Sequence, residues 1–211
     1  MVDTVASKAI AVRRESSNLS RNKHGGSKMK LEEILESIEQ KAKDFATEKH
    51  KGQKRKLEGV PYVEHPKRVA EIIRKYKDSH KIDELVSSAL LHDTIEDTDT
   101  TEKDLEKLFG GLVASLVKEL TSDGEEIKKK GKEAYLSDKM IGMSDWALVI
   151  KLADRLDNVS DLGVANKYFR DRYIRETVFI LNKLESARKL TNTQNKIVEV
   201  IRGKVKELTK N

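Results

Sequence analysis

Four side chains that can bind a metal ion or move a proton lie close together at 92–97: His92, Asp93, Glu96 and Asp97. They follow the stretch 82–90, whose apolar residues recur at three- and four-residue steps and predict an amphipathic helix. In one continuous helix all four would lie on the same side, since Glu96 and Asp97 come one turn after His92 and Asp93. An imidazole beside carboxylates suits a borderline divalent metal, and the second pair could orient or deprotonate a water molecule. The alternative is a charged helix end on the surface.

A second candidate ligand is His65, in a segment that holds both prolines of the chain, Pro61 and Pro66. Pro66 favours the first turn of a helix that continues to about Tyr76, so we expect His65 on the turn at the start of that helix. A lone histidine in such a place is more often a surface residue than a ligand. It becomes a ligand candidate because a His-Asp pair elsewhere in the chain needs partners.

The third candidate is Asp154, which lies in the largely apolar stretch 148–158. The spacing of the apolar residues predicts a buried helix, with Asn158 one turn beyond Asp154. A buried carboxylate needs a cation or hydrogen-bond donors, because an unpaired one is very costly. An ion pair with Arg155 or Lys151 would satisfy it, and a metal ion is the alternative that the other candidate ligands favour.

The composition favours an all-α protein. A chain of 211 residues can bury one sizeable core, and two prolines and few aromatic residues beside abundant Leu, Ile, Lys and Glu are typical of helices. The chain has no cysteine, which excludes disulfides and thiolate metal sites and fits a reducing compartment, so we predict a cytoplasmic location. No apolar run approaches the roughly 20 residues of a membrane span, so no membrane partner is expected.

The net charge of +6 is concentrated in the first residues of the chain. Residues 1–30 carry seven Lys or Arg against Asp3 and Glu15, so nearly all of the excess lies there. We predict a flexible basic leader at 1–28 and one domain at 29–211. The leader could be a transit peptide, although an extension before a start at Met29 is favoured. Bulk charge therefore gives no argument for nucleic acid as a partner.

The rest of the chain predicts further helices and one loop. Helices are expected from Leu31 to near His50, from Thr100 or Thr101 to Phe109, and from Leu112 to Leu120, and two long ones at 168–190 and 191–208. The Lys-rich stretch 125–133 lacks a clear period and is expected to be a solvated loop.

The order of one His, then a His-Asp pair, then a distant Asp resembles the ligand pattern of the HD-domain metal-dependent phosphohydrolases. Four segments in order are similar to the hydrolase domain of the RelA/SpoT homologues: Gly-Gln-Lys-Arg at 52–55, Gly-Val-Pro-Tyr-Val-Glu-His-Pro at 59–66, His-Asp-Thr-Ile-Glu-Asp-Thr at 92–98 and Ile-Lys-Leu-Ala-Asp-Arg-Leu at 150–156. The similarity extends from about Leu31 to about Leu184 and implies an HD-domain helical bundle. The synthetase and regulatory domains of the long members do not follow, so a small stand-alone hydrolase is expected.

The resemblance also implies roles for individual residues. It implies one bound manganese ion with four ligands: His65, His92, Asp93 and Asp154. Glu96 and Asp97 would position or deprotonate the attacking water.

The same resemblance assigns the contacts with the substrate. Arg55 and Lys56 match a basic pair that contacts the nucleotide, Asn158 matches a residue that lines the same pocket, and Tyr173 is a looser match. The chain departs from the family at Asp157, where bacterial members usually carry His or another neutral residue. We expect this difference to affect substrate preference and to leave the metal site unchanged.

The activity implied by the resemblance is hydrolysis of the 3′-pyrophosphate of guanosine tetra- or pentaphosphate (ppGpp or pppGpp), which yields GDP or GTP and pyrophosphate. One alternative is another nucleotide phosphohydrolase of the same family, such as a nucleotidase or phosphodiesterase. A second alternative is a helical module that binds a nucleotide or a partner without catalysis, and a nucleic-acid-binding module is a more distant one. The oligomeric state is left open.

Overall fold

A computed structural model describes residues 37–57 and 59–210 of the chain. The expected leader at 1–28, the start at Met29 and the beginning of the first predicted helix lie outside these residues. Within them the fold is all-α, as predicted, and β pairing is limited to an isolated antiparallel bridge between Lys54 and Pro61.

Eleven α-helices and one short 3₁₀ helix, Asp161–Val164, follow one another in the described residues. In chain order the α-helices are α1 (Ile38–Lys49), α2 (Glu64–Tyr76), α3 (Ile82–Leu91), α4 (Thr94–Asp97), α5 (Glu102–Phe109), α6 (Gly111–Leu120), α7 (Gly124–Lys130), α8 (Lys132–Gly142), α9 (Asp145–Ser160), α10 (Lys167–Ala187) and α11 (Asn192–Leu208). No helix in this part of the chain combines the length and the apolar character that crossing a membrane requires.

Helix α9 lies at the centre of the bundle. It packs against α2, α3, α6 and α11, and its side chains are buried on almost every face. A helix that is largely apolar all round is stable only when neighbours cover it on all sides. Its first turn is capped by Ser144, whose hydroxyl oxygen accepts a hydrogen bond from the amide of Ala147.

Helices α2 and α3 pack against each other, and α3 also contacts α1 and α6. The apolar face that the sequence predicted for α3 is buried: Leu85, Val86, Ala89 and Leu90 are at most 2% exposed. Because α2, α3 and α9 are mutual neighbours, residues at their adjoining ends are brought together although they are distant in sequence.

Two local features differ from the sequence-based expectation. The helix before His92 ends at Leu91, and α4 is a separate short helix, because the Thr94 hydroxyl donates to the Leu91 carbonyl at 2.7 Å and the chain turns between them. The predicted loop at 125–133 is helical in α7, which Asp123 caps by accepting from two backbone amides. Ion pairs one turn apart along α7 add support that periodicity alone could not indicate.

Candidate functional site

The four predicted metal ligands come from helices α2 and α9 and from the turn between α3 and α4, and they lie close together. His65 lies in the first turn of α2, His92 directly follows α3, Asp93 precedes α4, and Asp154 lies in the middle of α9. Ligand atoms of His65, His92 and Asp154 all lie within 4.8 Å of one another. Asp93 is next to them, so α2, α3 and α9 each contribute to one cluster.

The distances show which atoms face the centre of the cluster. His65 Nε2 lies 3.2 Å from Asp154 Oδ1 and 3.7 Å from Asp93 Oδ2. His92 Nε2 lies 3.0 Å from Asp93 Oδ2 and 3.9 Å from Asp154 Oδ1. Two imidazole nitrogens and two carboxylate oxygens therefore converge, a donor set that suits a borderline divalent metal.

The orientation of the His92 ring fits a metal ligand. Its Nδ1 lies 2.7 Å from the carbonyl oxygen of Ala89, which can only accept, so Nδ1 carries the proton. Its Nε2 is buried and lies 3.0 Å from Asp93 Oδ2, but it forms no hydrogen bond of good geometry within the described residues. A buried nitrogen without a well-formed hydrogen bond is costly in a protein interior, and a metal ion at this point would satisfy it.

The protonation of the cluster also fits a site for a cation. Burial alone lowers the pKa of His65, but hydrogen bonds to Asp154 and Asp157 and nearby negative charge outweigh it and raise the pKa to about 9. The pKa of His92 is raised in the same way by Asp93 and Asp154 against the effect of burial. Burial raises the pKa of Asp93 and of Asp154, but neighbouring positive groups lower both on balance. Positive charge on the histidines thus takes the place that a divalent cation would fill.

Asp154 forms one of the ion pairs that the sequence left open and also turns an oxygen toward the histidines. Its Oδ1 faces His65, while its Oδ2 lies 2.9 Å from the ammonium nitrogen of Lys151. Asn158 donates to Asp154 Oδ1 at 2.5 Å. Arg155, the other predicted partner, is instead paired with Glu176 at 3.0 Å. The ion pair with Lys151 therefore leaves one oxygen of Asp154 turned toward the cluster.

Three residues that sequence reasoning missed support this cluster and the loop beside it. Tyr62 donates its hydroxyl proton to Asp93 Oδ2 at 2.7 Å. Gln53 donates its side-chain amide to the backbone carbonyl of Asp97 at 3.0 Å and lies 2.8 Å from His50 Nδ1. Gln53 and Tyr62 lie in the segments 52–55 and 59–66 that resemble the family, which could have indicated a role, whereas His50 lies in neither segment.

Glu96 and Asp97 lie on α4, beside the cluster of predicted ligands. Glu96 Oε2 accepts a hydrogen bond from the backbone amide of Ser122 at 2.9 Å, so this carboxylate is tied to the chain before α7. Burial and the charge of Asp93 raise the pKa of Asp97. A carboxylate with a raised pKa is the better proton acceptor of two otherwise similar groups.

All ten predicted site residues except His92, which is buried behind the others, line one cavity of about 490 Å³. The cavity is rich in cationic side chains: Lys54, Arg55, Lys56, Lys132, Lys151 and Arg155. Its walls also include apolar and aromatic side chains: Leu57, Ile127, Leu136, Leu162, Phe169 and Tyr173. A cavity of this size and lining suits an anionic ligand that also carries an apolar or aromatic part.

The predicted substrate contacts differ in how firmly they are held. Arg55 donates to Asp161 at 2.6 Å and to Asn158 at 3.1 Å, so its guanidinium is fixed at the cavity wall. Lys56 is exposed at the cavity. Tyr173 is stacked on Phe169 with ring centroids 6.1 Å apart, and burial raises its pKa to about 12, so it stays neutral near neutral pH.

Asp157 contacts His65, one of the predicted ligands, although the sequence led us to expect an effect on substrate preference alone. It is not among the residues that line the cavity. Its Oδ2 lies 2.6 Å from His65 Nδ1, and both of its oxygens accept from Arg68. Burial raises the pKa of Asp157, but the hydrogen bonds with His65 and Arg68 lower it on balance, so the carboxylate is ionised.

Comparison with known proteins identifies a family and several relatives. The family model described as HD domain matches residues 42–191. A guanosine-3′,5′-bis(diphosphate) 3′-pyrophosphohydrolase of Danio rerio is 42% identical over 106 residues, which is 50% of this chain and 58% of the relative. A protein of the same name from Aquifex aeolicus is 37% identical over 168 residues, which is 72% of this chain and 24% of the relative.

A solved structure gives a similar result. It is described as a metazoan ortholog of SpoT that hydrolyzes ppGpp and plays a role in starvation responses, and it superposes with a TM-score of 0.67 at 31% identity. The match covers 80% of this chain and 96% of that one. The chain spans less than two thirds of the two curated relatives. The family match covers most of the chain, so this chain belongs to the HD-domain family, with ppGpp hydrolases among its relatives.

Proposed function

We propose that this chain is a manganese-dependent hydrolase that removes the 3′-pyrophosphate from guanosine tetra- or pentaphosphate. The observation that carries the proposal is the meeting of two histidines and two aspartates on the wall of a cavity rich in Lys and Arg. The relatives named as guanosine-3′,5′-bis(diphosphate) 3′-pyrophosphohydrolases support the choice of substrate.

The reaction consumes one water molecule. The oxygen of water forms a bond to the phosphorus next to the ribose 3′-oxygen, the bond from that phosphorus to the 3′-oxygen breaks, and the 3′-oxygen takes up a proton. The products are pyrophosphate and GDP or GTP. A divalent ion held by His65, His92, Asp93 and Asp154 would lower the pKa of water and neutralise charge that develops on phosphorus.

Asp97 is the better candidate to accept the proton from the attacking water. Its pKa is raised, whereas Glu96 is engaged with the Ser122 amide. We therefore assign Asp97 the role of base and Glu96 the role of holding the chain at Ser122 beside the cavity. In that case Asp97→Asn lowers kcat by about 10² to 10⁴. Glu96→Gln has a much smaller effect, because the new side chain still offers an oxygen to Ser122.

The cationic side chains of the cavity would bind the phosphate groups. Arg55 is fixed by Asp161 and Asn158, which favours geometrically specific contacts to phosphate oxygens. Lys56 and Lys132 would add mobile positive charge. The stacked pair of Phe169 and Tyr173 offers an aromatic surface on which a nucleobase could pack.

Product identification tests the proposal most directly. Purified protein is incubated with guanosine tetraphosphate and with Mn²⁺, Mg²⁺ or a chelator, and the products are separated and identified by ³¹P NMR. We expect GDP and pyrophosphate in equal amounts, with Mn²⁺ the most effective ion. Release of inorganic phosphate instead would indicate another phosphohydrolase activity of the same site, and no turnover with any ion would contradict catalysis.

A pair of matched variants tests whether the reaction depends on the cluster of predicted ligands. Asp93→Asn removes one charge from the predicted ligand set and should abolish Mn²⁺-dependent release of pyrophosphate. Asp99→Asn makes the same change at an exposed residue that is paired with Lys49 outside the cavity, and its activity should match that of the wild type. Full activity in Asp93→Asn would overturn the ligand assignment.

A further inference from the structure

The His65 ring is held from both sides by carboxylates on one helix. Asp154 and Asp157 are three residues apart on α9 and therefore lie on the same face of that helix. Asp154 Oδ1 lies 3.2 Å from His65 Nε2, and Asp157 Oδ2 lies 2.6 Å from His65 Nδ1. The two carboxylates thus contact different nitrogens of the same imidazole.

The contact with Asp157 determines where the His65 ring carries its proton. An ionised carboxylate can only accept a hydrogen bond, so Nδ1 must donate. In the neutral ring that a metal requires, the lone pair is then left on Nε2, the nitrogen that faces Asp154, Asp93 and the predicted metal. We propose that Asp157 is a positioning residue that fixes the orientation and tautomer of His65 and so raises the affinity of the site for its metal ion.

His92 shows that the same requirement is met differently at the second histidine. Its Nδ1 donates to a neutral backbone carbonyl, that of Ala89, whereas His65 donates to a charged carboxylate. A carboxylate partner makes the imidazole a stronger electron donor to a metal than a carbonyl partner does. His65 should therefore be the ligand whose binding depends more on its partner.

Asp157 is itself held in place by Arg68. The guanidinium donates from Nε to Asp157 Oδ1 at 2.7 Å and from Nη2 to Oδ2 at 3.1 Å. Arg68 lies one turn after His65 on α2, so two residues of α2 face two residues of α9. This arrangement allows a second explanation, in which Asp157 serves only to join the two helices through Arg68.

The two explanations predict different effects of substitutions. In Asp157→Asn the single carbonyl oxygen is attracted by Arg68, which turns the amide NH₂ toward His65 Nδ1. That nitrogen must then accept, so the ring proton moves to Nε2 and blocks the metal. Arg68→Met instead removes the ion pairs of Arg68 with Asp157 and Asp161 and leaves the Asp157 carboxylate on His65. The double variant frees the Asn oxygen to accept from Nδ1 again.

Titration calorimetry with Mn²⁺ on the full chain is the test. We expect Asp157→Asn to weaken Mn²⁺ binding by about 10- to 100-fold and Asp157→Ala by about tenfold, while Arg68→Met stays within about threefold of the wild type. The double variant should recover part of the loss. Imidazole ¹⁵N NMR of the Zn²⁺-loaded wild type should show His65 protonated on Nδ1. Circular dichroism would verify that each variant is folded. If Asp157→Asn does not fold, Asp157→Ala provides the test in its place.

The outcomes separate this inference from the proposed function on which it rests. A wild type without affinity for Mn²⁺ would overturn the metal site and this inference together. If the wild type binds Mn²⁺ and both Asp157 variants bind it as tightly as the wild type does, this inference alone is overturned. If Arg68→Met and Asp157→Asn lose Mn²⁺ affinity equally, Asp157 acts only through its ion pair with Arg68 between the two helices.

Discussion

A proton on His65 competes with the metal ion for the same nitrogen. Carboxylates surround the ring, and they raise its pKa to about 9 although burial opposes this. Below that pH the metal-free protein holds a proton on Nε2, and a metal can bind only when that proton leaves. The same reasoning applies to His92, whose pKa is also raised.

Metal affinity should therefore depend on pH. We expect the apparent association constant for Mn²⁺ to increase from pH 6.5 to about 9, by up to tenfold per pH unit for each proton displaced, and to level off above about 9. Calorimetry in two buffers with different ionisation enthalpies measures the number of protons released. A constant affinity over this range would contradict the protonated state of His65.

The stability of the metal-free protein should change with pH in the opposite direction to its affinity for the metal. The pKa of His65 is higher in the folded state than its ordinary value near 6.5, so its protonation stabilises the fold. That contribution is complete below pH 6.5 and is lost as the pH rises through about 9. Bound metal would replace it in the same pH range.

At the scale of helices, α7 and α9 both have a capped first turn but differ in how many of their residues are buried. Asp123 caps α7 by accepting from the amides of Glu125 and Glu126 at 2.9 and 3.1 Å, but α7 has no buried residue. Ser144 caps α9, the most buried helix of the bundle. The local chemistry is similar, so the difference in packing should decide the effect of losing each cap.

Removing each cap should give distinct results. Ser144→Ala should cost about 1 kcal/mol of global stability and lower Tm by about 2–4 °C. Asp123→Ala should leave Tm nearly unchanged and increase amide exchange at 125–130 by about fivefold. Differential scanning calorimetry and hydrogen exchange measure these effects. An equal loss of Tm in both variants would show that α7 unfolds together with the core.

At the scale of the whole molecule, the ligand cluster exists only when α2, α3 and α9 are packed. A metal ion that binds the folded state and not the unfolded chain stabilises the fold by mass action. The site is thus expected to couple metal binding to folding across residues nearly 90 positions apart, from His65 to Asp154.

Metal addition should raise the melting temperature. At a Mn²⁺ concentration about 100 times Kd, the gain is about 2.7 kcal/mol, which corresponds to about 5–10 °C for a chain of this size. A chelator should reverse the shift, and Asp154→Asn should show none. Differential scanning fluorimetry measures it. A shift of full size in Asp154→Asn would place the stabilising ion elsewhere.

The helical elements could be predicted because their information is local. The apolar period of 82–90 and the capping residue Thr101 are readable from neighbours within one or two turns, and both predictions are confirmed. Helix α7 was missed because it has no buried face, so its pattern lacks a period. The break after Leu91 depends on one hydroxyl, that of Thr94, which periodicity does not reveal.

By itself the sequence determined which residue types were available for a metal and near which helices they lay, because helical period and ligand chemistry are properties of short segments. Only the tertiary structure decided what each group faces. Asp154 turns one oxygen to Lys151 and the other to the cluster, and Asp157 contacts His65 instead of the cavity. These choices depend on how α2 packs on α9, since a packed interface selects one partner for each buried charge from several that the sequence allows.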